Sequence, residues 1–95
     1  MQEYSLEEYF AAWDPMGFIK DGAEPDEYSS EAREVRLGFQ KQMTTRAVGR
    51  LVYDVFRGSF EIDPDGLQEQ CEIRAAEIKE MIEQTTQSNA GDKMI

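Results

Sequence analysis

The chain has 95 residues, 40% of them hydrophobic and 11% aromatic, which is enough for one compact core and too little for two. Twenty Asp and Glu stand against ten Lys and Arg, a formal net charge of −10, with no histidine and a single cysteine, Cys71. That composition excludes an internal disulfide, the common zinc-ligand clusters and every histidine-based catalytic triad.

The first predicted element is short. Ser5 followed by Glu8 forms a capping box, Tyr4 can staple onto Tyr9, and a helix is expected over about Leu6–Ala12 before Asp14-Pro15 ends it. Residues 14–28 hold two prolines and two glycines and read as a loop, packed down by Phe18, Ile19 and Tyr28. Ser29 or Ser30 then caps a second helix, in which Tyr28, Ala32, Val35, Phe39 and Met43 recur every three to four residues and share one face.

Thr44 or Thr45 caps a third helix, whose stripe of Ala47, Val48, Leu51, Val52, Val55 and Phe56 is the clearest amphipathic signal in the chain, and Gly58 is the expected stop. Asp63-Pro64 reads as the cap and first residue of a fourth helix that buries Leu67, Cys71, Ala75, Ile78 and Ile82. No stretch alternates with period two and no repeat is visible. The fold class is therefore all-α, a small bundle of three main helices plus a short N-terminal helix. Residues 1–86 are expected to form this single helical domain, and residues 87–95 a flexible polar tail.

No apolar run approaches the roughly 20 residues of a membrane-spanning helix. The opening MQEYSLEEYF is acidic where a signal peptide is basic and then apolar, so a cytoplasmic protein without a membrane partner is expected.

Charge is uneven along the chain. Residues 1–30 carry eight acids against Lys20 alone, residues 31–60 carry six bases against three acids, and residues 61–95 carry nine acids and three bases. An acidic body of this kind suits a basic protein partner, such as a nuclease toxin or a nucleic-acid-binding protein, and repels nucleic acid itself. The acidic loop residues Asp21, Glu24, Asp26 and Glu27 are the first candidates for such contact. On the third helix Arg46, Arg50, Tyr53 and Arg57 are spaced by four, three and four residues opposite the core stripe, a basic ridge with one aromatic in it. Leu37, flanked by Arg33 and Lys41, and Ile73, between Glu69 and Glu77, point away from the core. Leu37 and Tyr53 would also serve contact with a second copy of the chain.

A metal reading rests on Glu61, Asp63, Asp65 and Glu72, with Gly66, which fall at positions 1, 3, 5, 12 and 6 of a calcium-binding EF-hand loop. Three departures stand against it: Glu at position 1, the stiff Pro64 at position 4, and Gln68 at position 8, where an apolar residue normally pairs with a sister loop. An enzyme is not expected. Carboxylate pairs such as Glu7/Glu8 occur by chance among twenty acids, Cys71 lies on an apolar face without a histidine to activate it, and no glycine-rich phosphate loop is present. No cofactor is called for.

Trp13-Asp14-Pro15-Met16-Gly17, followed by Asp26-Glu27-Tyr28, resembles the pattern of the YugE-like family of small bacterial proteins of unknown function, over about residues 5–83. The resemblance implies an all-helical fold and, by analogy with relatives found beside toxins, an immunity role. The residues also have a local explanation. Trp13 plugs the core at the end of the first helix, Asp14 caps the following turn, and Asp26 and Glu27 sit near the positive end of the next helix.

Overall fold

The computed structural model describes the backbone of residues 5–94 and the side chains of residues 5–84. Four helices follow one another in the order α1 (Leu6–Trp13), α2 (Ser29–Gly38), α3 (Thr45–Phe60) and α4 (Leu67–Met94), and no strand occurs among the described residues. The fold is all-α.

Local chemistry starts α1. Ser5 Oγ accepts the Glu8 amide at 3.1 Å while Glu8 Oε1 accepts the Ser5 amide at 3.0 Å, so the capping box satisfies two orphan donors at once. The staple expected between Tyr4 and Tyr9 involves a residue outside the described ones. Asp14 closes the helix in the left-handed conformation, φ 52° and ψ 60°, its amide donating to the Phe10 carbonyl. A short polar side chain tolerates that backbone better than most.

The ends of the other helices depart from the sequence reading. In α2 the position before the first turn is Tyr28, with no side-chain cap, so neither Ser29 nor Ser30 plays that part. The helix stops at Gly38, and Phe39 is extended, which removes Phe39 and Met43 from the helix although both still pack against the core. A Cβ at Gly38 would lie 2.8 Å from Leu51 Cδ1, so the glycine leaves room for that side chain of α3 at the end of α2.

At the far end, α3 runs two residues past Gly58 to Phe60 and is capped by Glu61 at φ 58°. Phe60 packs edge-on to Phe18, with centroids 5.1 Å apart, and lies near Tyr28 and Phe56. Burying that ring outweighs the roughly 1 kcal/mol that a glycine costs inside a helix.

The start of α4 is three residues later than Pro64, the expected first helical residue. Leu67 donates to the Pro64 carbonyl and the first turn opens at Gly66, φ 84°. Asp63 does not cap it, because its carboxylate is held by Tyr53 and Arg57. α4 then runs through Gln87, where the polar tail was expected to begin.

The main packing is α3 against α4, with α1 and α2 laid over that pair. Gly49 marks the closest approach: a Cβ there would meet Ala75 Cβ and the Cys71 carbonyl at 3.3 Å. Phe10, Tyr28, Val35, Val48, Val52, Phe56, Cys71 and Ile78 are fully buried. These include part of the stripes expected on α2, α3 and α4, while Phe39, Met43, Ala47, Leu51 and Val55 are only half-buried, and the aromatic rings cluster around Phe56.

Candidate functional site

The loop between α1 and α2 is built around one carboxylate. Asp14 Oδ1 accepts the Tyr28 hydroxyl at 2.5 Å and the Ile19 amide at 3.1 Å, and Oδ2 accepts the Lys20 amide at 2.9 Å. Tyr28 in turn accepts the Met16 amide at 3.2 Å, and its ring stacks on Phe18. Burial acts to raise the Asp14 carboxyl, but the Tyr28 hydroxyl and the backbone amides outweigh it and hold the group below the usual aspartate range. The Tyr28 hydroxyl is pushed well up, first by burial and then by donating to Asp14.

This network fixes the loop against the core and turns Asp21, Glu24 and Asp26 outward, with Glu27 half-buried. None of these four makes a side-chain hydrogen bond or ion pair with another described residue. Trp13 and Asp14 do not join them in an exposed patch. Trp13 packs edge-on against Phe10 and Phe56 under the Arg74 guanidinium, 4.8 Å from its ring, and Asp14 is engaged in the turn.

The basic ridge on α3 is largely neutralised within the chain. Arg50 pairs with Asp54 one turn on, at 3.2 Å. The Tyr53 hydroxyl donates to Asp63 at 2.9 Å and accepts from Arg57 at 3.2 Å, and Arg57 also lies 3.6 Å from Asp63. Arg46 alone of the ridge is exposed without a partner among the described residues. Leu37 is 78% exposed and Ile73 64%, as expected for outward-facing apolar residues, and Ile62 joins them at 45%. Tyr53, paired with Leu37 as a contact for a second copy, is half-buried with its hydroxyl engaged.

The carboxylates of the calcium reading are not brought together in this structure. No three carboxylates or thiols among the described residues are placed to hold a cation. Glu61 caps α3, Asp63 is tied to Tyr53 and Arg57, and α4 begins at Leu67, the seventh position of the would-be loop. A helix starting that early carries Glu72 along its own axis instead of wrapping it around an ion. Cys71 is buried in the core and its thiol is pushed up to about 12, by burial first and by the negative charge of Glu72 second, which leaves it unreactive.

Several contacts have no signal in the sequence. Arg74 bridges α4 to α1 through Trp13 and the Tyr9 hydroxyl, which donates to Glu77 at 2.6 Å. Glu7 takes a two-pronged hydrogen bond from Arg36, at 2.7 and 2.9 Å, and its carboxyl is held below the usual range by that guanidinium. Glu31, in the first turn of α2, is 6% exposed, and its Oε1 has no hydrogen-bond partner among the described residues.

A groove between α3 and the start of α4 is likewise illegible from spacing alone. Its narrow compartment, about 70 Å³, is lined by Arg46, Gly49, Arg50, Tyr53, Gln68 and Glu72. Tyr53, Gln68 and Glu72 also line a wider, open compartment of about 390 Å³, together with Asp63, Asp65 and Glu69. None of the described helices is long and apolar enough to cross a membrane. Comparison with family models, curated proteins and solved structures finds no match to this chain.

Proposed function

We propose that this chain is a small, non-enzymatic, cytoplasmic protein that acts by covering a basic surface on another protein, as an immunity-type inhibitor of a toxin or a nucleic-acid-binding partner does. The observation that carries the reading is which charges are left over. Arg36, Arg50, Arg57 and Lys79 are each engaged by a carboxylate of the same chain. Among the described residues Asp21, Glu24 and Asp26 on the loop, and Asp65, Glu69, Glu72 and Glu80 at the start of and along α4, stand exposed with no such partner, against the exposed bases Lys20, Arg33, Lys41 and Arg46. The surplus of unpaired charge is therefore negative, and it steers basic surfaces inward from beyond contact distance.

A fixed loop backbone strengthens the case, because it loses little further freedom on binding. The Asp14–Tyr28 network supplies that rigidity beneath Asp21, Glu24 and Asp26. Kinship with the YugE-like family is part of the same proposal; it rests on Trp13–Gly17 and Asp26–Tyr28, which here build and flank that loop.

The test is capture from extracts of the source cell by the wild-type chain and by Asp21→Asn/Glu24→Gln/Asp26→Asn, at low and at moderate salt. A basic protein retained by the wild type, weakened by salt and weakened again by the triple variant is the expected result. Retention of acidic proteins only, or indifference to the triple variant, refutes it.

A further inference from the structure

We propose that the groove between α3 and the start of α4 docks an extended segment of a partner protein, one that places an acidic side chain at the Arg46 end and a basic side chain at the Asp65 end. This deepens the partner-binding reading and rests on it, but it uses a different surface from the loop.

The groove has opposite signs at its two ends. In the narrow compartment Arg46 forms no ion pair with any described carboxylate, and Arg50 shares its charge with Asp54. In the wide compartment Asp65 and Glu69 pair with no described cation, whereas Asp63 is already met by Arg57. Glu72 lines both compartments and forms no ion pair with either arginine. A ligand of a single sign would satisfy one end and be repelled at the other, so charge complementarity selects a bipolar occupant.

Shape points the same way. The wide compartment alone falls in the roughly 300–1,000 Å³ range of ligand clefts. Gly49 contributes no side chain to the narrow end, and Tyr53 is pinned in the middle by its bonds to Asp63 and Arg57, so the walls are formed before anything binds. Arg46 and Tyr53 are seven residues apart on α3, about 10 Å at 1.5 Å per residue. An extended chain covers that length in about three residues. Tyr53 lines the wide compartment together with Asp65 and Glu69, so a base at that distance from the acid enters it, and the occupant has the form acid, two spacers, base. Gln68 and Glu69, in the first turn of α4, have amides without backbone acceptors and are available to the carbonyls of such a segment.

The experiment follows amide shifts of the ¹⁵N-labelled full chain during titration with the blocked peptide Ac-Glu-Ala-Ala-Arg-NH₂ and with its reverse, Ac-Arg-Ala-Ala-Glu-NH₂, to several millimolar. The first is expected to move the amides of Gly49, Tyr53, Gly66 and Gln68, and to bind at least about threefold more tightly than the second. Arg46→Glu, a change at an exposed position, is expected to abolish or reverse that preference. Equal response to both peptides, no shift at these amides, or shifts confined to residues 20–27 overturns the proposal. So does movement of the same amides on dilution without peptide, which would make the occupant a second copy, or on addition of calcium chloride alone. Failure here leaves capture by the acidic loop intact, and failure of capture leaves the peptide titration readable, so the two ideas stand or fall separately.

Discussion

Asp14 concentrates more of the loop's order than any neighbour, because one carboxylate ends a helix, receives two amides and takes the hydroxyl of a buried tyrosine. Removing that hydroxyl with Tyr28→Phe leaves the carboxylate short of a donor and the Met16 amide without its acceptor, at a cost of about 1–3 kcal/mol. The expected readout is a lower urea midpoint at pH 7 with an unchanged slope. Its pH dependence follows from the sign of the shift. A carboxyl held below its ordinary value when folded stabilises the fold fully above the unfolded value, and that contribution is lost as pH falls through the lowered one. The gap between wild type and Tyr28→Phe should therefore narrow on acidification below about pH 4, and a gap that stays constant from pH 7 to pH 2.5 would contradict the assignment. Glu7 follows the same rule at smaller scale. Its pair with Arg36 is about one-third exposed on each side, so Glu7→Gln is expected to cost no more than about 1 kcal/mol.

Helices in this chain were legible where their causes are local and illegible where a distant element decides. The start of α1 is written in Ser5 and Glu8, and that of α3 in Thr44, whose hydroxyl accepts the Ala47 amide at 3.1 Å. Periodicity likewise gave the buried faces. The end of α3 depends on Phe18 and Tyr28 receiving Phe60, and the start of α4 on Tyr53 taking Asp63 away from its own backbone. The candidate site divides in the same way. Exposure of Leu37 and of the loop acids follows from pattern, but the pairing that disarms Arg50 and Arg57, and the groove beside them, require the tertiary structure. Two glycines on α3 test how much helix packing outweighs helix propensity. Gly58→Ala meets open space and is expected to stabilise by about 0.5–1 kcal/mol. Gly49→Ala gains the same propensity but drives a methyl against the Cys71 carbonyl and Ala75, where backbone cannot yield, and is expected to destabilise by about 1–3 kcal/mol. Thermal melts of the two variants should move in opposite directions, and parallel shifts would mean that α3 and α4 are not in the close contact described.

Across the whole molecule the excess of twenty acids over ten bases works against compactness, since the unpaired carboxylates repel one another more in the folded state than in the expanded chain. The internal ion pairs act in the other direction, but those of Arg50, Arg57 and Lys79 lie at or near the surface, where each contributes at most about 1 kcal/mol. Repulsion among many charges therefore outweighs attraction among a few. Salt screens both, with a Debye length of about 30 Å at 0.01 M falling to about 8 Å at 0.15 M. The net effect of raising sodium chloride from 10 to 150 mM should be a higher melting temperature, and a gain of about 1 kcal/mol would appear as roughly 4–8 °C in a domain of this size. The same screening weakens the long-range attraction to a basic partner, so stability and association rate are expected to respond to salt with opposite signs. Calorimetry and stopped-flow binding on one preparation measure both. A melting temperature that falls with salt would show that internal pairs, not surplus carboxylates, dominate the electrostatics of the fold.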